Sequence, residues 1–240
     1  MNQIEIAEHN EYQRSYFEGT LKKTMIPAAT PYLQRHVEEA LRSVEVKPQD
    51  RVLEVGCGMG RYTLLLAEKG VRVEGLDLAP ALLERMREYN GDRYNIPLHC
   101  ADMVSPPKEL EGVFDVVIGF FVLHHVHDLD PCFAAMARLL RPGGRMIFVE
   151  PNPYNPLYYL QILLTPRMTW KAERGMLRMR RSVLFDTFER AGLQAPSLTR
   201  FGFFPPFLAN RPWGRALESA LERVPAWRGL LPFQLFKCKR

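Results

Sequence analysis

Three alternating glycines, Gly56, Gly58 and Gly60, follow a short apolar stretch at residues 51–55, and Glu54 lies two residues before the first of them. Glycines at this spacing let the backbone turn sharply and leave bare main chain against which a ligand can lie. A carboxylate beside such a loop repels a diphosphate and attracts a cationic, amine-bearing ligand. The pattern therefore predicts a ligand pocket at the carboxyl end of a first strand.

Two well-known nucleotide-binding loops differ from this one. A dinucleotide-binding loop has the spacing Gly-x-Gly-x-x-Gly, whereas this chain has Gly-x-Gly-x-Gly. The phosphate-binding loop of nucleoside triphosphatases needs Gly-Lys-Ser/Thr, and no such sequence follows here. Neither a dinucleotide nor a nucleoside triphosphate is therefore the ligand that the glycines indicate.

A sheet has to position the pocket, and from Asp50 onward predicted strands and helices alternate at the spacing of βαβ units. This order predicts a parallel sheet with helices on both faces. Asp130 and Pro131 are expected to begin one helix as its cap and first-turn proline, and residues 141–144 (Arg-Pro-Gly-Gly) to form a tight turn. The predicted strands are residues 51–55, 71–77, 97–102, 114–119 and 145–149, and the predicted helices are residues 62–69, 79–89 and 130–140.

The segments on either side of this alternation complete the predicted organisation. Residues 1–47 are expected to form an N-terminal helical cap of two helices, separated near residues 27–31. Residues 48–240 are expected to form one α/β domain on a doubly wound, mostly parallel seven-stranded sheet. Within it, residues 151–176 and 205–230 are predicted insertions beside the pocket. The remaining predicted elements are a helix at residues 177–191 and strands at residues 197–204 and 231–239.

Composition sets the broad class of the protein. The chain has 240 residues, 47% hydrophobic and 25% charged, which is typical of a globular protein. No apolar stretch approaches the roughly 20 residues of a membrane-spanning helix, and the acidic first residues lack the apolar segment of a secretory signal. The four cysteines are widely spaced without a Cys-x-x-Cys pair, which disfavours a disulfide framework or a structural zinc site. We therefore expect a cytoplasmic protein.

Charge is divided unevenly along the chain, whose net charge is +5. Residues 1–150 carry a net charge of −5 and residues 151–240 a net charge of +10. Residues 157–181, which include Arg167, and residues 201–213 combine apolar and basic side chains, as do segments that contact a membrane surface or line a pocket for an amphipathic molecule. Phosphate contacts to RNA are an alternative. A further alternative is that the rings belong to the core and the arginines to a solvated face.

Six ordered segments of the sequence together resemble the class I S-adenosylmethionine-dependent methyltransferases, over about residues 48–150. They begin with the glycine loop and continue at compatible spacing through the alternating region. The resemblance implies a Rossmann-like methyltransferase fold, S-adenosyl-L-methionine as the cofactor and methyl transfer as the activity. The six segments are residues 54–60, 75–78, 100–103, 114–118, 122–126 and 140–144.

The resemblance also implies how individual residues hold the cofactor. Asp77 would accept hydrogen bonds from both ribose hydroxyls, a task that suits an acceptor-only carboxylate, although a helix cap is the alternative role. Asp102 would accept from the exocyclic amine of the adenine, which Leu78 and Met103 would sandwich. Glu54 would influence the amino group of the methionine portion. Further contacts to the methionine portion are implied for Gly56, Gly58, Gly60, Gly119, Phe120 and His125.

Two tyrosines and a histidine run complete the candidate set. Tyr12 and Tyr16 are candidates for closing over the cofactor, with packing of the cap as the alternative. Residues 124–127 (His-His-Val-His) make a poor chelate, because adjacent side chains share a face in neither a strand nor a helix. We therefore expect no metal. His124 is the candidate base on the acceptor side, and packing or exposure at the surface is the alternative.

A polar, proline-rich segment directly follows the fifth predicted strand. In this fold it lies over the acceptor side, so Glu150, Asn152 and Tyr154 are candidates for binding or deprotonating an acceptor. A rigid proline-rich connection explains the segment equally well.

Together these features predict an S-adenosylmethionine-dependent methyltransferase that acts on a small-molecule or lipid-like acceptor, with peripheral membrane contact through residues 157–181 and 201–213. A catalytic base is needed only for a hydroxyl, amine-cation or carbon-acid acceptor, so the sequence identifies the donor better than the acceptor. The alternatives are an RNA methyltransferase that uses the basic C-terminal segment and a non-catalytic cofactor-binding module.

Overall fold

The structure is a computed structural model that describes residues 3–19, 25–165 and 168–240. Seven strands form one sheet, in which the spatial order is β3-β2-β1-β4-β5-β7-β6. All neighbours from β3 to β5 are parallel, and β7 is antiparallel to both β5 and β6. The strands are β1 (Arg51–Val55), β2 (Arg72–Asp77), β3 (Leu98–Cys100), β4 (Phe114–Phe120), β5 (Leu140–Pro151), β6 (Gln194–Phe201) and β7 (Phe233–Lys239).

Helices of the described segments cover the sheet and its carboxyl edge. The predicted doubly wound, mostly parallel sheet of seven strands is confirmed. The helices are α1 (Gln3–Glu18), α2 (Pro31–Val44), α3 (Thr63–Glu68), α4 (Pro80–Asn90), α5 (Leu129–Leu139), α6 (Pro156–Leu164), α7 (Trp170–Glu173), α8 (Arg181–Arg190), α9 (Pro206–Ala209) and α10 (Pro212–Leu221).

The order of the strands determines where a ligand can enter. The chain moves outward from β1 through β2 to β3, and then returns to β1's other side to begin β4. Loops that leave the carboxyl ends of β1 and β4 therefore diverge to opposite faces, which opens a crevice between them. All seven residues of β4 are buried, as expected for a central parallel strand covered on both faces.

Large apolar side chains fill both sides of the sheet. On one side Phe133 of α5 contacts Phe148 of β5 and Phe188 of α8, with ring centroids 5.6 and 4.8 Å apart. On the other side Val37 and Ala40 of α2 belong to the cluster that covers the opposite face of β1, β4 and β5. These two layers hold the strands rigidly, so the loops at their carboxyl ends start from fixed positions.

Some element ends differ from the sequence-based expectation. Asp128, and not Asp130, caps α5, because its side chain accepts a hydrogen bond from the Asp130 N–H. Residues 141–144 lie within β5 instead of forming a separate turn, since this strand already begins at Leu140 and pairs with the start of β4. Residues 174–178 form a 3-10 turn, so α8 begins at Arg181 and is shorter than predicted.

The first helix packs against the crevice instead of lying apart from the domain. Phe17 of α1 packs on Met59, Ala79 and Leu82, which belong to the glycine loop region and to the start of α4. The predicted cap thus contacts the carboxyl ends of β1 and β2. Part of the predicted N-terminal cap, residues 1–2 and 20–24, lies outside the described residues.

Within the three described segments, no helix combines the length and the hydrophobicity that crossing a membrane requires.

Candidate active site

A cavity of about 770 Å³ lies at the carboxyl edge of the sheet, where β1, β2 and β4 end. The glycine loop forms its floor, α1 covers one side, and α6 and α9 border another. Most of the site residues predicted from the sequence line this one cavity. They are Glu54, Gly56, Gly58, Asp77, Leu78, Asp102, Met103, Phe120, His124 and His125.

The glycine loop has the conformation that its sequence predicts. Gly56, Gly58 and Gly60 all have positive φ values, of +70°, +52° and +83°, a region that other residues rarely adopt. A Cβ atom on Gly56 would collide with Val122, and one on Gly60 would collide with Met86. A Cβ atom on Gly58 would meet nothing within 4 Å. Gly58 is therefore the residue whose bare main chain faces the cavity.

Asp77 ties this loop to the end of β2. Its Oδ2 accepts a hydrogen bond from the Gly58 N–H at 2.7 Å, and its Oδ1 accepts one from the Ala79 N–H at 2.9 Å. Burial raises the pKa of Asp77, while the backbone N–H donors of Ala79 and Gly58 act in the opposite direction. The carboxylate thus fixes the backbone on both sides of the cavity floor and also borders the cavity itself.

Glu54 lies at the end of β1, below the loop. The side chain is almost completely buried, and its Oε2 accepts a hydrogen bond from the Thr63 hydroxyl at 2.6 Å. Burial raises the pKa of Glu54 to about 8. A cationic group of a ligand in the cavity would therefore be the partner that stabilises the ionised form of this carboxyl.

Asp102 follows β3 and lies under α1. Its Oδ1 accepts from the Val104 N–H at 2.9 Å, and its Oδ2 accepts from the Asn10 side-chain amide at 2.6 Å. Leu78 and Met103 line the same part of the cavity. The side-chain amide of Asn10 on α1 thus donates to Asp102 as the amine of a bound ring would.

The two predicted tyrosines lie on α1 but not on the cavity wall. Tyr12 and Tyr16 stack on each other with ring centroids 6.2 Å apart, and the Lys171 ammonium lies 4.3 Å from the Tyr12 centroid. Burial raises the pKa of Tyr16 to about 12. The α1 side chains that do line the cavity include Asn10 and Phe17. Sequence reasoning missed both, because it proposed only the two tyrosines of this helix.

Three other predicted residues, Gly60, Gly119 and Glu150, also lie behind the wall. A Cβ atom would collide with Met86 at Gly60 and with Phe148 at Gly119, so both glycines are close-packed. Phe120, in contrast, reaches the cavity and stacks on Tyr62 with ring centroids 4.3 Å apart. Glu150 is completely buried and does not line the cavity.

A cluster of ionisable groups forms the far side of the cavity. His124 lies in the 3-10 turn Leu123–His125, and its Nδ1 lies 2.6 Å from Oε2 of Glu150. Its Nε2 faces Oε2 of Glu173 at 3.4 Å. Glu150 also accepts hydrogen bonds from two backbone N–H groups, those of Val122 and Leu123, at 2.9 and 2.7 Å.

Opposing effects set the protonation of this cluster. Burial alone lowers the pKa of His124, but the charges of Glu150 and Glu173 and the hydrogen bonds to them outweigh burial and raise this pKa to about 9. Burial likewise raises the pKa of Glu173, but the hydrogen bonds from His124 and Tyr158 and the nearby imidazole charges lower it to about 2. At neutral pH the isolated cluster therefore holds His124 as an imidazolium that faces the Glu173 carboxylate.

The structure places the three candidate side chains of the segment after β5 away from the cavity. All the hydrogen bonds of Glu150 described above are internal, so it orients His124 instead of contacting an acceptor. Asn152 is buried and donates to the carbonyls of Gly229 and Leu231. Tyr154 is exposed at the surface. The polar groups that face the cavity from this region include those of Tyr158 and Glu173, whose order along the chain gave no sign of their proximity to His124.

The mouth of the cavity is apolar and exposed. Leu157, Leu160 and Leu164 of α6 and Phe207 of α9 both line the cavity and reach solvent. Leu163 of α6 is 81% exposed. Trp170, Trp213 and Leu217 are further large apolar side chains that are exposed to solvent. Arg167, which the sequence placed in the same basic and apolar segment, lies outside the described residues.

Comparison with known proteins gives the same assignment for the core of the chain. Residues 53–148 match a family model described as a methyltransferase domain. A phosphoethanolamine N-methyltransferase 1 of Triticum aestivum is 30% identical over 150 residues, which are 58% of this chain and 30% of that protein. A ubiquinone biosynthesis O-methyltransferase of Chromobacterium violaceum is 27% identical over 188 residues, which are 75% of this chain and 76% of that protein.

Solved structures show the same fold at low sequence identity. Geranyl diphosphate C-methyltransferase from Streptomyces coelicolor, in a complex that includes S-adenosyl-L-homocysteine, aligns with a TM-score of 0.65 and 16% identity over 97% of this chain and 98% of that one. A Haemonchus contortus phosphoethanolamine N-methyltransferase 2 in complex with S-adenosyl-L-methionine aligns with a TM-score of 0.62 and 16% identity, over 86% of this chain and 52% of that one.

The lengths of these relatives differ from that of this chain. The chain spans about a third of the wheat protein and about half of a Rhizobium tropici nodulation protein S that is 32% identical over 127 residues. The similarity is nevertheless centred on the strands that carry the glycine loop, Asp77 and Asp102. This match, the fold and the residues that line the cavity together support a class I S-adenosylmethionine-dependent methyltransferase.

Proposed function

We propose that the protein transfers a methyl group from S-adenosylmethionine to a small amphipathic acceptor. The observation that carries this proposal is the continuity of one cavity, which runs from the glycine loop to the His124 cluster and the apolar mouth. A donor on the glycine loop and an acceptor at the mouth would therefore meet without leaving the protein. Such a shared, water-poor space is what an in-line methyl transfer requires.

The donor half of the cavity suits an adenosyl sulfonium. Asp77 would accept from the ribose hydroxyls, and Asp102 from the adenine amine, between Leu78 and Met103. The methionine portion would lie over Gly58, with its amino group towards Glu54, whose carboxyl gains a cationic partner by this contact. These roles rest on the family resemblance together with the observed lining of the cavity.

The N-terminal cap would act as a lid in this arrangement. Asn10 bonds to Asp102, and the His9 ring contacts the carbonyl of His125 at 2.8 Å. Binding of adenine at Asp102 would replace the Asn10 contact, so the position of α1 would respond to the cofactor. This links occupancy of the donor half to access to the acceptor half.

The acceptor half favours a molecule with an apolar part and an oxygen or nitrogen group. Leu157, Leu160 and Phe207 would contact the apolar part at the mouth, while His124 and Glu173 would face the polar group inside. The phosphoethanolamine N-methyltransferase and the ubiquinone biosynthesis O-methyltransferase have names that indicate small-molecule acceptors, and neither name favours the RNA alternative. We propose that His124, which Glu150 orients, contacts the polar group of the acceptor.

The exposed surface around the mouth supports a peripheral membrane contact as a finer proposal. Leu163 and Leu164 project from α6, and Lys171, Arg174 and Arg180 are exposed on the chain that follows. Apolar side chains beside basic ones are typical of protein segments that lie on an anionic lipid surface. An acceptor dissolved in the membrane would then enter the cavity directly from the lipid.

Substitution of Gly58 tests the donor site. We expect Gly58→Ala to weaken binding of S-adenosylhomocysteine at least about tenfold, measured by calorimetry, because its methyl group would project into the space proposed for the ligand and its φ is strained. Gly143→Ala is the matched control, since Gly143 also has a positive φ and open space around it but is remote from the cavity. Equal affinities of the two variants would refute the proposed position of the ligand.

Labelled methyl transfer tests the activity and the class of acceptor. We expect the protein, given S-adenosylmethionine with a radioactive methyl group and a whole-cell extract, to label solvent-soluble molecules whether or not the extract was first treated with nuclease. Label that appears in RNA and disappears after nuclease treatment would favour the RNA alternative. Failure to label any fraction, by a protein that binds the cofactor, would favour a non-catalytic module.

Vesicle flotation tests the membrane contact. We expect the protein to float with vesicles that contain anionic phospholipid at low salt, and the double variant Leu163→Glu, Leu164→Glu to remain at the bottom. Each leucine that enters the lipid surface contributes about 1.5–3 kcal/mol, and two carboxylates remove this contribution. Tyr89→Glu, at an exposed residue on α4, is the control and should float. A wild-type protein that does not float would contradict the proposal.

A further inference from the structure

We propose that His124, His125 and Glu173 form a binding site for a divalent transition-metal ion on the acceptor side of the cavity. Among the residues that the structure describes, one ligand atom from each of these three lies within 4.8 Å of the other two. The sequence-based expectation of no metal considered only the adjacent histidines. It missed Glu173, which α7 brings to the same place from 48 residues further along the chain.

The donor set matches a known class of metal site. Two imidazoles and one carboxylate are a ligand set of catalytic zinc sites, which keep a fourth position open for water or substrate. Imidazole nitrogens favour zinc and similar ions, whereas magnesium prefers a shell of oxygen ligands. The ion expected here is therefore Zn²⁺ or a related transition metal.

The distances leave room for such an ion. Two ligands of a tetrahedral zinc ion, each bonded at about 2.0–2.1 Å, lie about 3.3 Å apart. Nε2 of His124 and Oε2 of Glu173 are 3.4 Å apart, close to that separation, so an ion could replace the long hydrogen bond between them. The ring centroid of His125 lies 4.0 Å from that of His124, and its ligand atom lies within 4.8 Å of the other two, so a shift of this side chain would complete the site.

The surrounding hydrogen bonds orient the proposed ligands. Nδ1 of His124 bonds to Glu150 at 2.6 Å, which leaves Nε2 directed at Glu173. Because His124 is protonated in the isolated cluster, the ion would displace the Nε2 proton to solvent and bind the neutral imidazole. The Tyr158 hydroxyl donates to Oε2 of Glu173 at 3.0 Å. A carboxylate on the second ring nitrogen of a histidine ligand, and a hydrogen bond to a carboxylate ligand, are the usual outer partners of a metal site.

The open position of this site would face the acceptor. All three proposed ligands line the cavity, and His124 and Glu173 are otherwise buried. A bound ion would hold and polarise an acceptor oxygen beside the methyl donor. This part of the inference rests on the proposed function, whereas binding of the ion does not require an acceptor, a cofactor or turnover.

Calorimetric titration tests the site directly. We expect full-length protein that has been treated with a chelator and desalted to bind Zn²⁺ with a stoichiometry of one, and Mg²⁺ not to compete. His125→Asn and Glu173→Gln should abolish this binding, and Glu150→Gln, which changes only an outer partner, should weaken it about 10- to 100-fold. Replacing Zn²⁺ by Co²⁺ should give the visible absorption of a four-coordinate ion.

His127→Asn is the matched control, because His127 also lines the cavity and its ring lies 4.9 Å from that of His9. This variant should bind Zn²⁺ as tightly as the wild type, and circular dichroism with S-adenosylhomocysteine binding should confirm that every variant is folded. No stoichiometric binding by the wild type would overturn the inference. Binding that persists in Glu173→Gln and is lost in His127→Asn would also overturn it, since the ion would then lie at His9 and His127.

Discussion

One carboxylate determines the shape of the ligand site. Asp77 accepts hydrogen bonds from Gly58 and Ala79, which belong to two different loops. Without these bonds, the three alternating glycines could adopt many backbone conformations, because glycine restricts the backbone least. The carboxylate selects the one in which the main chain of Gly58 faces open space. The parallel strands β1 and β2 make this possible, since they end side by side at the same edge of the sheet.

The two halves of the cavity are built on different principles. The donor half uses backbone and three carboxylates at or next to strand ends, so it depends little on the rest of the chain. The acceptor half depends on contacts between distant segments, in which Glu150 orients His124 and α7 supplies Glu173. Such a division allows one donor site to serve many acceptors, because the segments after β5 can change without disturbing the loop at β1. The exposed leucines of α6 belong to the acceptor half.

Local sequence patterns predicted the first half well and the second poorly. The strand–glycine loop–helix order and the acids Asp77 and Asp102 lie close together along the chain, so their positions follow from the βαβ arrangement. The ion cluster joins residues on three separate elements, and no local pattern indicates that Glu173 meets His124. Glu150 illustrates the same limit: its residue type suggested contact with an acceptor, but three hydrogen bonds inside the protein occupy it. Helix caps, such as Asp128 in place of Asp130, depend on backbone geometry that residue type alone does not determine.

The central claim is that Asp77 binds the ribose of an adenosyl sulfonium, and a cycle of four calorimetric titrations tests it most directly. Wild type and Asp77→Ala would each be titrated with S-adenosylhomocysteine and with its analogue that lacks both ribose hydroxyls. The account predicts that loss of the hydroxyls weakens binding to the wild type by about 1.5–3 kcal/mol and leaves the affinity of the variant nearly unchanged. An equal loss of affinity in both proteins would contradict the account, because Asp77 would then not contact the ribose.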